Sequence, residues 1–311
     1  MEKRRLGRSR LFVSPVIFGA WGIGGPPFWK ARDRNESIKA IKTAIDLGIN
    51  TIDTAPVYGF GLSEEMVGEA VSGRRDEVVI ATKLGLRWKN KSLKDLYHDL
   101  SPESVAEEVE NSLARLKTDR IDLYQIHWPD PKTPVETTME ALLRLREQGK
   151  ILEIGVSNFG EDLLKTAITA APELCCVQPK YNILERDIEK DILPLSRDRK
   201  LGVIVYSPLA SGALSGKYGA DSRFDDWRGR GKMGLFRKEA WPEAAKRIEV
   251  LKTMAEKHGI RLSRLAIKWV LRQPGVTAAI VGANSAEQIE DNVKALELEI
   301  PEELLASVQS V

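Results

Sequence analysis

The chain has 311 residues, 42% of them hydrophobic and 30% charged, with a formal net charge of +2. That is enough apolar material for a sizeable core, and the charge is too balanced and too dispersed for a nucleic-acid binder. Met1-Glu2-Lys3-Arg4-Arg5 leads into no apolar signal core, no window has the length of a membrane span, and the adjacent Cys175 and Cys176 cannot staple distant segments, so the expectation is a soluble, cytoplasmic protein.

Arg4 to Val13 reads as a short hairpin turned by Gly7 to Arg10. Strand and helix patterns alternate after it. Val16–Gly19 is a strand, and Asn35 to Leu47 a helix with Ile38, Ile41, Ala44 and Ile45 at three- and four-residue steps, closed by Gly48. The β-branched run Ile49 to Asp53 is the second strand and breaks into a loop at Ala55-Pro56. Ser63 is a suitable cap for a helix to Val71, with Glu64 and Glu65 where the helix dipole favours them. Val78–Lys83 precedes a helix from Pro102 to Leu116 capped by Ser101. Ile121–Ile126 precedes Val135 to Gln148, Ile151–Val156 precedes Glu161 to Ala170, and Val177-Gln178 precedes a helix around Ile188 to Arg199. Gly202–Tyr206 is the seventh strand and Thr277–Val281 the eighth, followed by Ala286 to Ala295. Eight such units in one uninterrupted chain predict a single domain over residues 1–311, a (β/α)₈ TIM barrel with an N-terminal β-hairpin. The Gly- and charge-rich stretch from Ser207 to about Ala240, just past the seventh strand, reads as a long lid loop.

In such a barrel, chemistry gathers where strands end. The second strand ends at Asp53 with Tyr58 beyond it, the third at Lys83, and the fourth runs into His127. Singly, each has an ordinary explanation: a turn residue, a snorkelling lysine, a satisfied core imidazole. Together, on adjacent strands about 5 Å apart, they form a set with a use. A phenol with a pKa near ~10 is a poor acid at neutral pH, but an ammonium beside it stabilises the phenolate and lowers that pKa, and a buried carboxylate keeps the ammonium charged. A neutral imidazole can hydrogen-bond a carbonyl oxygen. The set has no nucleophile or hydride of its own, so a cofactor must bring the other half.

Competing sites fail on detail. Gly212 to Tyr218 is one residue short of a P-loop and has Tyr where Ser or Thr should hold magnesium. Gly22-Ile23-Gly24 lacks the third glycine and the immediate helix of a dinucleotide fingerprint. His98, His127 and His258 share no metal-ligand spacing. Trp21, Trp29, Trp88 and Trp128 are candidate walls of an apolar or sugar-stacking pocket.

The motifs Asp53-Thr54-Ala55-Pro56-Val57-Tyr58-Gly59, Ile80-Ala81-Thr82-Lys83, Gln125-Ile126-His127-Trp128-Pro129-Asp130, Ile154 to Phe159, Tyr206-Ser207-Pro208-Leu209 and Gly282 to Gln288 together resemble the aldo-keto reductases, essentially end to end. The likeness is strongest to the bacterial branch of inositol-operon and general-stress reductases, with potassium-channel β-subunits more distant. The resemblance implies a barrel that binds NADP(H) without a Rossmann domain and reduces aldehyde or ketone carbonyls or oxidises the corresponding alcohols. It implies Tyr58 as general acid, tuned by Lys83 and Asp53, with His127 orienting the carbonyl. It also implies that Ser157, Asn158 and Gln178 hold the nicotinamide amide and Tyr206 stacks on its ring, with Trp21 beside both nicotinamide and substrate. Ser207, Pro208, Leu209, Gly212 and Lys217 would follow the pyrophosphate under the lid, and Gly282, Gln288 and Asn292 would serve the adenosine end. One position departs from the family. Where many members carry Lys, Arg or Ser to bind the 2′-phosphate, this chain has Asn284, so Arg228 in the lid is the candidate for an NADPH preference, with NAD as the alternative cofactor. A redox-sensing subunit or a barrel lyase acting on phosphorylated substrates are the other readings; the intact tetrad, His127 above all, favours a reductase.

Overall fold

The computed structural model describes residues 1–230 and 234–311; Gly231, Lys232 and the neighbouring Met233, part of the expected lid, lie outside the described residues. Eight parallel strands close into a barrel: Val16–Gly19, Thr51–Asp53, Val79–Leu84, Ile121–Ile126, Ile151–Ser157, Cys176–Gln178, Gly202–Tyr206 and Ala278–Gly282, the last pairing back onto the first. Helices wrap the outside, as expected for a (β/α)₈ barrel. The inward-facing layer joins Ile17, Ala81, Leu123, Cys176, Ile204 and Ala278, and the hairpin Arg4–Arg5/Phe12–Val13 plugs its lower end with Leu6 and Val13. A larger apolar layer lies between strands and helices.

Several boundaries move for physical reasons. The helix expected to start at Ser63 spans Leu62–Ala70, with Gly61 at its N-cap in a left-handed conformation (φ 102°). The Ser63 hydroxyl turns inward, 2.8 Å from Thr54 Oγ1 and 3.0 Å from the Ala20 carbonyl. Glu64 serves no exposed dipole role: fully buried, it accepts from Arg115 Nε at 2.6 Å and from Thr82 Oγ1 at 2.6 Å. The single helix expected around Ile188 is a 3₁₀ turn, Asp187–Glu189, and a shorter helix, Ile192–Asp198. A second hairpin, Leu86–Trp88 with Leu96–His98, follows the third strand and is absent from the sequence pattern. The helices Trp241–Lys257, Leu262–Arg272 and Glu302–Gln309 add to the expected set.

The turn after Lys83 is held by a buried acid. The Gly85 N–H donates to Glu108 Oε1 at 2.9 Å, and Ser104 Oγ lies 3.3 Å from the same oxygen. Burial pushes the Glu108 carboxyl up to about 7, against the downward pull of Gly85, Arg87 and Ser104. A carboxyl raised on folding stabilises the fold fully below its unfolded pKa, and that contribution is lost as pH rises through its folded pKa. Glu108→Gln keeps the acceptor without the titration. Between about pH 4 and pH 8, urea unfolding should show the wild type losing on the order of 3 kcal/mol relative to the variant; parallel pH profiles would contradict this.

Candidate active site

The upper end of the barrel opens into a cleft of about 1450 Å³. That exceeds a typical single-ligand pocket and leaves room for a cofactor together with a substrate. Asp53, Tyr58 and His127 line it. Lys83, fully buried at the end of its strand, donates from Nζ to Asp53 Oδ1 at 2.6 Å and to the Thr54 carbonyl at 2.9 Å. Its ammonium stands 5.4 Å from the centre of the Tyr58 ring, and that ring meets His127 edge-on at 5.8 Å. Tyr58 rides on the loop after the second strand, which Gly59 clamps to the loop after the first: a Cβ on Gly59 would lie 2.2 Å from the Gly24 carbonyl oxygen. The four residues expected to act together are thus brought to one place.

Their electrostatics differ in one respect from the expectation. Burial, reinforced by the charge of Asp53 and by Tyr206, pushes the Tyr58 phenol well above its ordinary range, where a lowered value was anticipated. At the phenol, burial outweighs the Lys83 ammonium, which burial itself pulls down and which is paired with Asp53. Tyr58 therefore keeps its proton at neutral pH, the form a general acid needs. Burial and the Lys83 charge hold the His127 imidazole well below its usual range, so it is neutral, as expected.

Ser157, Asn158, Gln178 and Tyr206 stand side by side on the same rim. Ser157 Oγ donates to the Gln178 carbonyl at 2.8 Å, Asn158 Nδ2 to the His127 carbonyl at 2.9 Å, and the Tyr206 hydroxyl to Asn158 Oδ1 at 2.7 Å. Ser207, Pro208, Leu209, Gly212 and Lys217 continue the wall, as do Gly282, Asn284, Gln288 and Asn292 across from them. Asn158, Ser207, Ala210 and Ser211 all adopt positive φ (60°, 55°, 47° and 52°). Such strain in non-glycine residues costs about 1–3 kcal/mol each and clusters at functional sites. The Asn284 N–H donates to Gln288 Oε1 at 2.8 Å, while Asn284 Oδ1 is buried without a hydrogen-bond partner. An unmet acceptor on the wall of a cleft fits a ligand hydroxyl.

Arg228 does not sit as a free lid cation. Its guanidinium forks onto Asp226 (Nη2–Oδ2 2.6 Å, Nε–Oδ1 2.9 Å), reaches the Ser211 carbonyl and Tyr218 hydroxyl from Nη1, and lies over the rings of Phe224, Tyr218 and Trp29. It fastens the lid to itself and to the loop after the first strand. The Trp88 wall also moves: Trp88 packs on Phe60 at 5.4 Å, away from the cleft. Its place is taken by Trp227 of the lid, 5.3 Å from Trp21 and 5.9 Å from Trp29. Only the folded lid brings Trp227 there; Gln125, also unassigned from sequence, had a signal, standing two residues before His127 on the same strand face.

An aldo/keto reductase family model matches residues 15–311. The chain belongs to the aldo/keto reductase family. This aldo/keto reductase is 41% identical over 293 residues to the aldo-keto reductase YhdN of Bacillus subtilis, covering 93% of this chain and 87% of that one. It is 37% identical to an NADH-specific methylglyoxal reductase of Escherichia coli, covering 96% and 95% of the two chains. Among solved structures it resembles the glycerol dehydrogenase AKR11B4 of Gluconobacter oxydans, with a TM-score of 0.89, 37% identity, and 99% and 94% of the chains covered. No helix among the described residues is long and apolar enough to cross a membrane, and no group of His, Cys, Asp or Glu among them could hold a metal ion.

Proposed function

We propose that this aldo/keto reductase reduces the carbonyl of a small aldehyde or ketone, or runs the reverse oxidation, with Tyr58 as the proton donor. The observation that carries this is the Lys83–Asp53 ion pair standing 5.4 Å from the Tyr58 ring on the floor of a cleft walled by Trp21, Trp29, Trp128 and Trp227. A nicotinamide dinucleotide, when bound, supplies the hydride. Neutral His127 hydrogen-bonds the carbonyl oxygen and directs it to the Tyr58 hydroxyl. The proton leaves the phenol as negative charge develops on that oxygen, and the nearby ammonium stabilises the phenolate left behind. Asp53 keeps the ammonium in place. The tryptophan walls exclude water and carry no charge, which favours uncharged substrates. Ser157, Asn158, Gln178 and Tyr206 receive the nicotinamide, and the wall from Ser207 to Lys217 and from Gly282 to Asn292 receives the rest of the dinucleotide.

The expectation of NADPH through Arg228 loses its support, because Asp226 already neutralises that guanidinium. The nearby Arg261 and Arg264 share Asp291. We place the discrimination at Asn284, whose uncharged amide accepts a ribose hydroxyl and offers no cation to a 2′-phosphate, so NADH is used alongside NADPH. Asn284→Arg should raise affinity for NADPH over NADH by about tenfold in tryptophan-fluorescence titrations, whereas Arg228→Ala should loosen the lid and weaken both cofactors alike. An unchanged ratio in the first, or a selective loss of NADPH in the second, contradicts this assignment. The activity itself is tested by loss of nicotinamide absorbance across a panel of aldehydes, ketones and sugars with both cofactors; turnover with none of them would overturn it.

A further inference from the structure

Gln125 is fully buried on the fourth strand, beside Lys83 of the third and Gly155 of the fifth in the strand register. Room for it is made by Gly155, where a Cβ would fall 2.9 Å from Gln125 Cγ. Both ends of its amide are engaged inside the barrel. Nε2 reaches Asp53 Oδ2 at 3.4 Å, and Oε1 accepts from Gln178 Nε2 at 3.1 Å. Gln178 Nε2 also donates to Asp53 Oδ2 at 2.8 Å, so both its protons are committed. Turning the Gln178 amide over would put its oxygen against a carboxylate and against another amide oxygen, each a lost hydrogen bond in a dry site. Gln178 Oε1 is therefore left as an acceptor at the cleft wall.

We propose that Gln125 is a positioning residue that, together with Asp53, holds the Gln178 amide with its oxygen toward the cleft, so that the site selects a carboxamide donor on the nicotinamide ring and ties that contact to the second oxygen of Asp53. This rests on the dinucleotide reading above. Through the shared carboxylate, the residue that recognises the cofactor and the lysine that serves Tyr58 are parts of one buried network. A carboxylate in place of the carboxamide has no proton to give to Gln178 Oε1 and is rejected.

The test compares binding of three probes by tryptophan-fluorescence titration: NAD, its nicotinic acid analogue, and ADP-ribose, which lacks the ring. Wild type should bind NAD about tenfold more tightly than the acid analogue. In Gln125→Leu the Gln178 amide keeps its bond to Asp53 but loses the partner of its second proton, so that preference should fall by about fivefold while ADP-ribose affinity stays the same. Gln125→Glu, which keeps an acceptor for Gln178 Nε2, should restore the preference and, by adding a charge beside Asp53, shift the pH profile of turnover. A wild type that does not distinguish amide from acid overturns the proposal, as does a folded Gln125→Leu that distinguishes them as strongly as wild type. Should wild type bind neither NAD nor ADP-ribose, the dinucleotide reading itself has failed, which is a separate result. If Gln125→Leu does not fold, the wild-type comparison and Gln125→Glu still decide: loss of the preference in Gln125→Glu contradicts the acceptor role.

Discussion

Tyr58→Phe is expected to lower turnover by about a thousandfold, the scale of a lost general acid, while leaving dinucleotide affinity almost unchanged. The substitution removes one oxygen and keeps the ring that packs 6.3 Å from Trp21 and 5.8 Å from His127, so the cleft keeps its shape. What it loses is the proton that burial and Asp53 hold on the phenol. In kinetic terms the loss belongs in kcat and in kcat/KM equally, because the interaction is made in the transition state. Equal losses of cofactor affinity and turnover would assign Tyr58 a binding role.

Breaking the Lys83–Asp53 pair from the lysine side should cost both activity and stability. Lys83→Met fills the same space without charge, leaving Asp53 3% exposed with the two glutamine amides, Gln125 and Gln178, both on Oδ2. Stranding a buried charge in this way typically costs about 3–5 kcal/mol. Replacing both partners is different, since two neutral groups need no compensation. The double variant Lys83→Met with Asp53→Asn should therefore recover most of the stability in urea unfolding, yet remain at least about a hundredfold below wild-type turnover. Recovery of turnover along with stability would mean the pair only holds the barrel together.

The barrel was legible because each unit carries its own signal. Ile121–Ile126 and Glu161–Ala170 begin and end where the apolar pattern and the flanking Gly or polar residues say they do. Asp53, Lys83 and His127 could be picked out because a polar residue closing an apolar strand must face the open end of the barrel. Ser63 misled because the rule for caps knows only the next three residues, whereas its hydroxyl found Thr54 and Ala20 across a tertiary contact. Arg228 misled in the same way: a lid arginine looks like a free cation until the turn that brings Asp226 to it is known. The helices Trp241–Lys257 and Leu262–Arg272 carry readable apolar faces, Ala244, Ile248, Leu251 and Ala255 in the first, but both fall between the seventh and eighth strands, where an alternating strand–helix pattern assigns no second helix.

The most direct test of hydride delivery to a carbonyl at this barrel mouth is to follow the label from a dinucleotide carrying deuterium at the transferring position of the nicotinamide. With an uncharged aldehyde as partner, mass spectrometry should find the deuterium on the new carbinol carbon of the alcohol. Alcohol without the label, or label released to solvent, would contradict the account.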